Sequence, residues 1–153
     1  MTHRNLVLLA GAGSLYLLAA AFGFQFLGYA PCKMCLWQRW PHAAAIVIAG
    51  IVLLWGVRPL AWAGALAALA TAGIGVYHTG VERGWWEGPS SCSGGGDGLA
   101  GLSGDALLSL DAAPAIVMCD EVAWQLLGLS MASWNALFSL ALVAVWVMAA
   151  RRA

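Results

Sequence analysis

Four stretches of this chain are apolar over lengths that a small water-soluble core does not use: Leu6 to Leu27, Pro41 to Val57, Leu60 to Gly80 and Trp134 to Ala150. An α-helix rises about 1.5 Å per residue, so roughly 20 apolar residues cross the hydrocarbon layer of a bilayer. The second and fourth runs have 17 residues each, at the short limit. The second gains a comfortable length if its helix starts near Leu36. Composition agrees, with 62% hydrophobic and 9% charged residues, where soluble domains carry about 25% charge. The reading is an all-α integral membrane protein: one four-transmembrane-helix bundle over residues 1–153, with loops at about 28–40 and 81–133. A net charge of zero gives no reason to expect a nucleic-acid partner.

The N-terminal run follows His3 and Arg4 and passes Ala19-Ala20-Ala21, as a secretory signal would, but it continues to Leu27, longer than the usual h-region. It is expected to be a retained helix. Four spans place both termini on one side and both long loops on the other. All four cysteines, Cys32, Cys35, Cys92 and Cys119, fall in those two loops. Arg4, Arg58, Arg151 and Arg152 lie on the side of the termini, against Lys33, Arg39 and Arg83 on the cysteine side. That is a small positive-inside bias toward cytoplasmic termini. Loop disulfides persist outside the reducing cytosol, which points the same way.

All seven acidic residues lie between Glu82 and Glu121. Within that loop Trp85 and Trp86 suit a membrane interface, as does the apolar Trp124 to Leu129. The run Ser93 to Gly98 is glycine-rich and poorly suited to a fixed shape, and Ser103 to Leu110 is expected to form a short helix. The third span is rich in small residues, which let membrane helices approach closely.

The segment Ala30-Pro31-Cys32-Lys33-Met34-Cys35-Leu36-Trp37-Gln38-Arg39-Trp40 carries the chemistry. A CxxC that opens a helix brings two sulfurs together where unpaired N–H groups and the helix dipole favour a thiolate. Arg39 follows Cys35 by four residues and shares its helix face, either to meet a thiolate or ligand oxygen or to snorkel to the headgroups. Trp37 and Trp40 could flank a planar ring, or are ordinary interfacial tryptophans without a ligand. His78 ends the third span on the same side, as a proton or hydrogen-bond donor or as an ordinary interfacial polar residue. Cys92 and Cys119 enclose 26 residues. They read as a structural staple worth roughly 3–4 kcal/mol, or as an exposed, mobile disulfide open to attack by a thiolate. In the second case the two pairs form a relay, with electrons leaving to a lipid-soluble quinone at the membrane edge. A four-cysteine zinc site needs two close pairs and fits poorly. Covalent haem is excluded, because Leu36 stands where CxxCH needs histidine. A non-catalytic membrane protein with two structural disulfides is the bland alternative.

The chain resembles the DsbB family of quinone-dependent thiol oxidases over nearly its whole length. The resemblance rests on Cys32-Lys33-Met34-Cys35 with Arg39 four residues on; on Tyr77-His78-Thr79-Gly80-Val81-Glu82, Trp85-Trp86-Glu87-Gly88-Pro89 and Cys92; and on Cys119-Asp120, Trp124, Leu127-Gly128-Leu129-Ser130-Met131 and Trp134-Asn135. It implies that Cys92 is attacked by a periplasmic DsbA-like thioredoxin-fold dithiol oxidase. Cys119 would then attack Cys32, and Cys35 would pass electrons to ubiquinone or menaquinone. Arg39 would hold a quinone oxygen, with His78 nearby. It also implies the bacterial inner membrane, with periplasmic cysteine loops and cytoplasmic termini. A DsbI-like relative serving a dedicated partner is a variant of the same reading. The vitamin K epoxide reductase family does similar chemistry but carries its CxxC late, at its last core helix.

Overall fold

The computed structural model describes residues 1–89, 92 and 118–152. The glycine-rich run after Cys92 and the short helix expected at Ser103 to Leu110 lie outside the described residues.

Among the described residues four long helices make up the fold: α1 His3–Phe26, α2 Lys33–Trp55, α3 Ala61–Glu82 and α4 Met131–Arg151. Each is long and apolar enough to cross a membrane, α3 together with the short 3-10 turn Arg58–Leu60 before it. Their ends follow from local chemistry. Thr2 caps α1 by accepting from the Asn5 amide at 3.3 Å. Gly56, with φ of 68°, ends α2 in the left-handed conformation that glycine adopts without strain. Ser130 caps α4 by accepting from the Ser133 amide at 3.2 Å. Helix α2 starts at Lys33 rather than Pro41, so the CxxC is the first turn of the helix and Pro41 lies inside it.

The helices pack in a ring, α1 against α2, α2 against α3, α3 against α4 and α4 against α1. At one end the termini meet. The His3 ring bonds the Ala149 carbonyl at 2.9 Å, and Arg152 donates to the Met1 carbonyl. Below them Leu6, Val7, Ala65, Leu142 and Trp146 form the main apolar core. At the opposite end Cys32, Met34, Val81, Cys92 and Cys119 form a second, smaller core, with Cys35 against it.

The small residues of α3 are contact surface. A Cβ on Gly64 would lie 2.6 Å from the Trp146 indole, and one on Gly75 would lie 3.1 Å from the Ala136 side chain. Without a hydrophobic force between helices in lipid, such close approach supplies the dispersion contacts that hold them together. Beyond α3, Trp86 folds back on the helix end, stacks on Tyr77 and donates its indole N–H to the Tyr77 carbonyl at 2.8 Å.

Trp124 to Leu129 is more than an apolar interfacial stretch. It holds a tight antiparallel hairpin, with β1 Gln125–Leu126 paired to β2 Leu129–Ser130. Leu127 and Gly128 turn it with φ of 54° and 76°, the two positive values of a type I′ turn.

Candidate functional site

Cys32 is the N-cap of α2 and accepts the Cys35 amide at 3.3 Å. The first turn of a helix leaves backbone N–H groups unpaired, and here a sulfur takes one of them. The Cys32 and Cys35 sulfurs are 3.2 Å apart and unbonded. Nε2 of His78 approaches Cys32 Sγ at 3.5 Å. The hydrogen bond with Cys35 and the His78 ring hold the Cys32 thiol far below its ordinary 9.0, at about 4, against burial, which pushes it up.

A hydrogen-bond chain across three helices fixes how His78 presents itself. The Thr71 hydroxyl donates to the Gln38 backbone carbonyl at 3.1 Å. Its one proton is then spent, so its oxygen accepts from the Asn135 amide nitrogen at 3.2 Å. The same amide donates to Gln38 Oε1 at 2.7 Å. Gln38 must therefore offer its NH2 to Nδ1 of His78, 3.0 Å away. In the neutral ring Nδ1 then accepts, and the proton sits on Nε2, facing the Cys32 sulfur. Glu82, one turn on, lies 3.8 Å from that nitrogen and accepts a hydrogen bond from Ser130.

The sequence-derived residues are partly united. Cys92 and Cys119 are joined by a disulfide, and all four cysteines gather at one end of the bundle. The second pair is not exposed, contrary to the expectation of an accessible disulfide. Cys92 and Cys119 are 3% and 0% exposed, because they pack on Met34 and Val81. The Cys119 amide donates to the Cys92 carbonyl at 2.7 Å. Arg39 turns toward α1 rather than out to the headgroups. Its guanidinium donates to Gln25 Oε1 at 2.8 Å and to the Ala21 carbonyl at 3.3 Å, and lies over the Phe22 ring. Its buried Nε has no partner.

Beside the CxxC opens a cavity of about 400 Å³, bordered by Cys35, Arg39, His42, His78, Trp134 and Asn135 among others. Trp37 and Trp40 do not border it. They are 40% and 77% exposed and face outward, while Phe24, Trp124, Trp134 and Phe138 give the cavity its aromatic walls. Gln38, His42, Thr71, Glu82 and Asn135 are the residues to which sequence reasoning gave no role in the site. The spacing Cys35, Gln38, Arg39, His42 marks one polar helix face inside a membrane span, and polar residues there are costly and tend to be functional.

Cys32, Cys35 and His78 also bring three donor atoms within 4.8 Å of one another, a spacing that a thiophilic ion can occupy. A four-cysteine site is not formed, since Cys92 and Cys119 are bonded to each other.

A family model described as "Disulfide bond formation protein DsbB" matches residues 3–149. Among curated proteins, the chain is similar to "Disulfide bond formation protein B" of Albidiferax ferrireducens, 33% identical over 149 residues, which span 86% of this chain and 82% of the relative. The protein of the same name from Aromatoleum aromaticum is 35% identical over 130 residues, covering 80% of this chain and 75% of that one. That from Verminephrobacter eiseniae is 32% identical over 165 residues, covering 99% and 90%. No solved structure matches the chain.

Proposed function

Because the chain belongs to the DsbB family of disulfide bond formation proteins, we propose that it is a membrane thiol oxidase that returns a DsbA-like periplasmic dithiol to its disulfide and delivers the electrons to ubiquinone or menaquinone. The observation that carries this reading is the gathering of Cys32, Cys92 and Cys119 in one buried cluster, with Cys35 packed against it, beside an apolar cavity. The cavity fits a flat ring bearing two oxygens. It has aromatic walls, and two buried polar atoms on its lining residues, Arg39 Nε and His42 Nδ1, lack partners.

In this reading the partner's thiolate attacks Cys92, breaking the Cys92–Cys119 bond and forming a mixed disulfide. The partner's second thiolate then displaces Cys92, so the partner leaves oxidised and Cys92 and Cys119 are both reduced. Cys119 next attacks Cys32 of an oxidised Cys32–Cys35 pair, and Cys35 leaves as a thiolate. Attack of Cys92 on Cys119 restores the Cys92–Cys119 disulfide and releases Cys32. Two electrons and two protons now rest on Cys32 and Cys35. One disulfide beside one dithiol, the arrangement described above, is a state that this exchange passes through. The depressed Cys32 thiol supports its role as a good leaving group. The N–H of His78 steadies that thiolate, and Gln38 and Asn135 keep the N–H aimed. Quinone, when bound, supplies the two-electron, two-proton sink that restores the Cys32–Cys35 disulfide. Arg39 would meet one of its oxygens through Nε.

The same reading places the protein in the bacterial inner membrane, with the cysteine end periplasmic and both termini cytoplasmic. A dedicated partner, as in a DsbI-like protein, would use the same steps. The test is turnover of a reduced thioredoxin-fold partner with added short-chain quinone in detergent. Cys35→Ser should abolish it while leaving the protein folded. Unchanged turnover, or disulfides inert to a catalytic amount of partner, would leave only a stapled membrane protein.

A further inference from the structure

His42 plays no part in the thiol exchange, yet it is buried in the middle of the bundle. Its position follows from the hydrogen-bond chain that aims His78. The Asn135 amide nitrogen is committed to Thr71 and Gln38, so the remaining polar atom, Oδ1, faces Nε2 of His42 at 2.9 Å. A carbonyl oxygen only accepts, so Nε2 carries the ring proton. In the neutral ring Nδ1 is then a bare lone pair. That atom is buried and has no hydrogen-bond partner, on a residue that is 3% exposed and borders the cavity. A buried acceptor left without a donor is destabilising, and three helices contribute to keeping this one bare.

What would satisfy it is a donor brought by a ligand. The oxygens of an oxidised quinone only accept. Those of the reduced ring, an aromatic diol, donate. Arg39 offers the reverse chemistry, a buried Nε–H with no acceptor. One residue on α2 thus suits the carbonyl form and another, three positions along, suits the hydroxyl form. We propose that His42 Nδ1 accepts a hydroxyl of the reduced carrier in this cavity and so makes the site favour the diol over the dione. This rests on the carrier reading given above, and Asn135 is the positioning residue that holds the histidine in the required tautomer.

Two measurements test it. In full-length protein carrying Cys32→Ser and Cys35→Ser, which cannot turn over, short-chain quinone and quinol are titrated separately without oxygen, with quenching of tryptophan fluorescence as the readout. His42→Phe should weaken quinol binding about tenfold, the loss expected for one buried hydrogen bond, and leave quinone binding within about twofold. His42→Gln, which returns a carbonyl acceptor, should recover part of the loss. Equal loss of both forms, or of neither, overturns the inference while leaving the carrier reading intact. Failure of the unsubstituted-His42 protein to bind either form overturns both. In otherwise unaltered protein, 15N spectra of the histidine rings should show His42 with an unprotonated Nδ1 that shifts when quinol is added. A proton on Nδ1, or no shift, defeats the assignment without any substitution.

Discussion

Cys32 Sγ and His78 Nε2 face each other across 3.5 Å, one from the N-cap of α2 and the other from the last turns of α3. The imidazole is not free to turn away, since Gln38 holds its other nitrogen at 3.0 Å. A ring pinned on one side presents a fixed N–H on the other. The reactivity of the CxxC is therefore a property of the bundle as well as of its own four residues.

The Cys32 thiolate should survive far into acid. In reduced protein its ultraviolet absorbance is expected to disappear as pH falls through about 4, against an ordinary 9.0. Between those values the folded chain has released a proton that the unfolded chain keeps, so folding stability rises with pH across that window and is lost as pH falls through the lower value. His78→Ala should move the midpoint upward. A wild-type midpoint near 9 would show that the ring and the neighbouring thiol do not act on Cys32.

Arg39→Ala should raise the apparent KM for quinone by about tenfold or more, with a much smaller change in that for the partner protein, because hydrogen bonds to charged groups are worth about 1.5–3 kcal/mol. Arg39→Lys should recover little. A lysine keeps the charge but cannot reach Gln25 and the Ala21 carbonyl at once. Equal rises for both substrates would mean that Arg39 serves the fold through α1 alone.

Burial of Cys92 and Cys119 predicts selective reduction. A small phosphine should reduce this disulfide slowly in the folded protein, since it packs in one cluster with Met34 and Val81, and a reduced thioredoxin-fold partner that docks there and opens the packing should do so quickly. Cys92→Ala should abolish the mixed disulfide with the partner. Adduct trapped at Cys119 instead would reverse the assigned order, and equal rates with both reductants would mean that burial is no barrier.

Gly64→Leu should destabilise the bundle by about 1–3 kcal/mol, the usual cost of forcing atoms into a packed core, because its Cβ would collide with Trp146. Gly73→Leu, at a position with open space within 4 Å, is the control. Thermal unfolding in detergent separates them, and equal midpoints would remove Gly64 from the α3–α4 contact.

Much of this was legible in the sequence because hydrocarbon leaves so few choices. Four apolar runs of bilayer length gave four helices, and their number alone put Cys32, Cys35, Cys92 and Cys119 at one end. The starting point of α2 was less legible. The apolar run opens only at Pro41 and its length asks for a start near Leu36, whereas the sulfur of Cys32 caps a helix that begins at Lys33. The placement of Trp37 and Trp40 was not legible, because an interfacial tryptophan has the same sequence signature whether it faces lipid or a ligand. The polar face Gln38–His42 was readable by spacing. Its partners Thr71 and Asn135 were not, since they meet it only through the ring order of the helices. The hairpin at Leu127-Gly128 lacks the Asn-Gly that usually marks such a turn.

A helix whose opening cap is a sulfur that changes oxidation state in the proposed exchange cannot be equally well begun in both states. A thiolate accepts the Cys35 amide strongly, and a disulfide sulfur accepts it poorly. In that exchange each electron pair that arrives would tighten the first turn of α2, and each pair that departs would loosen it. The backbone at the mouth of the cavity would then carry a mechanical record of whether the protein is charged or spent.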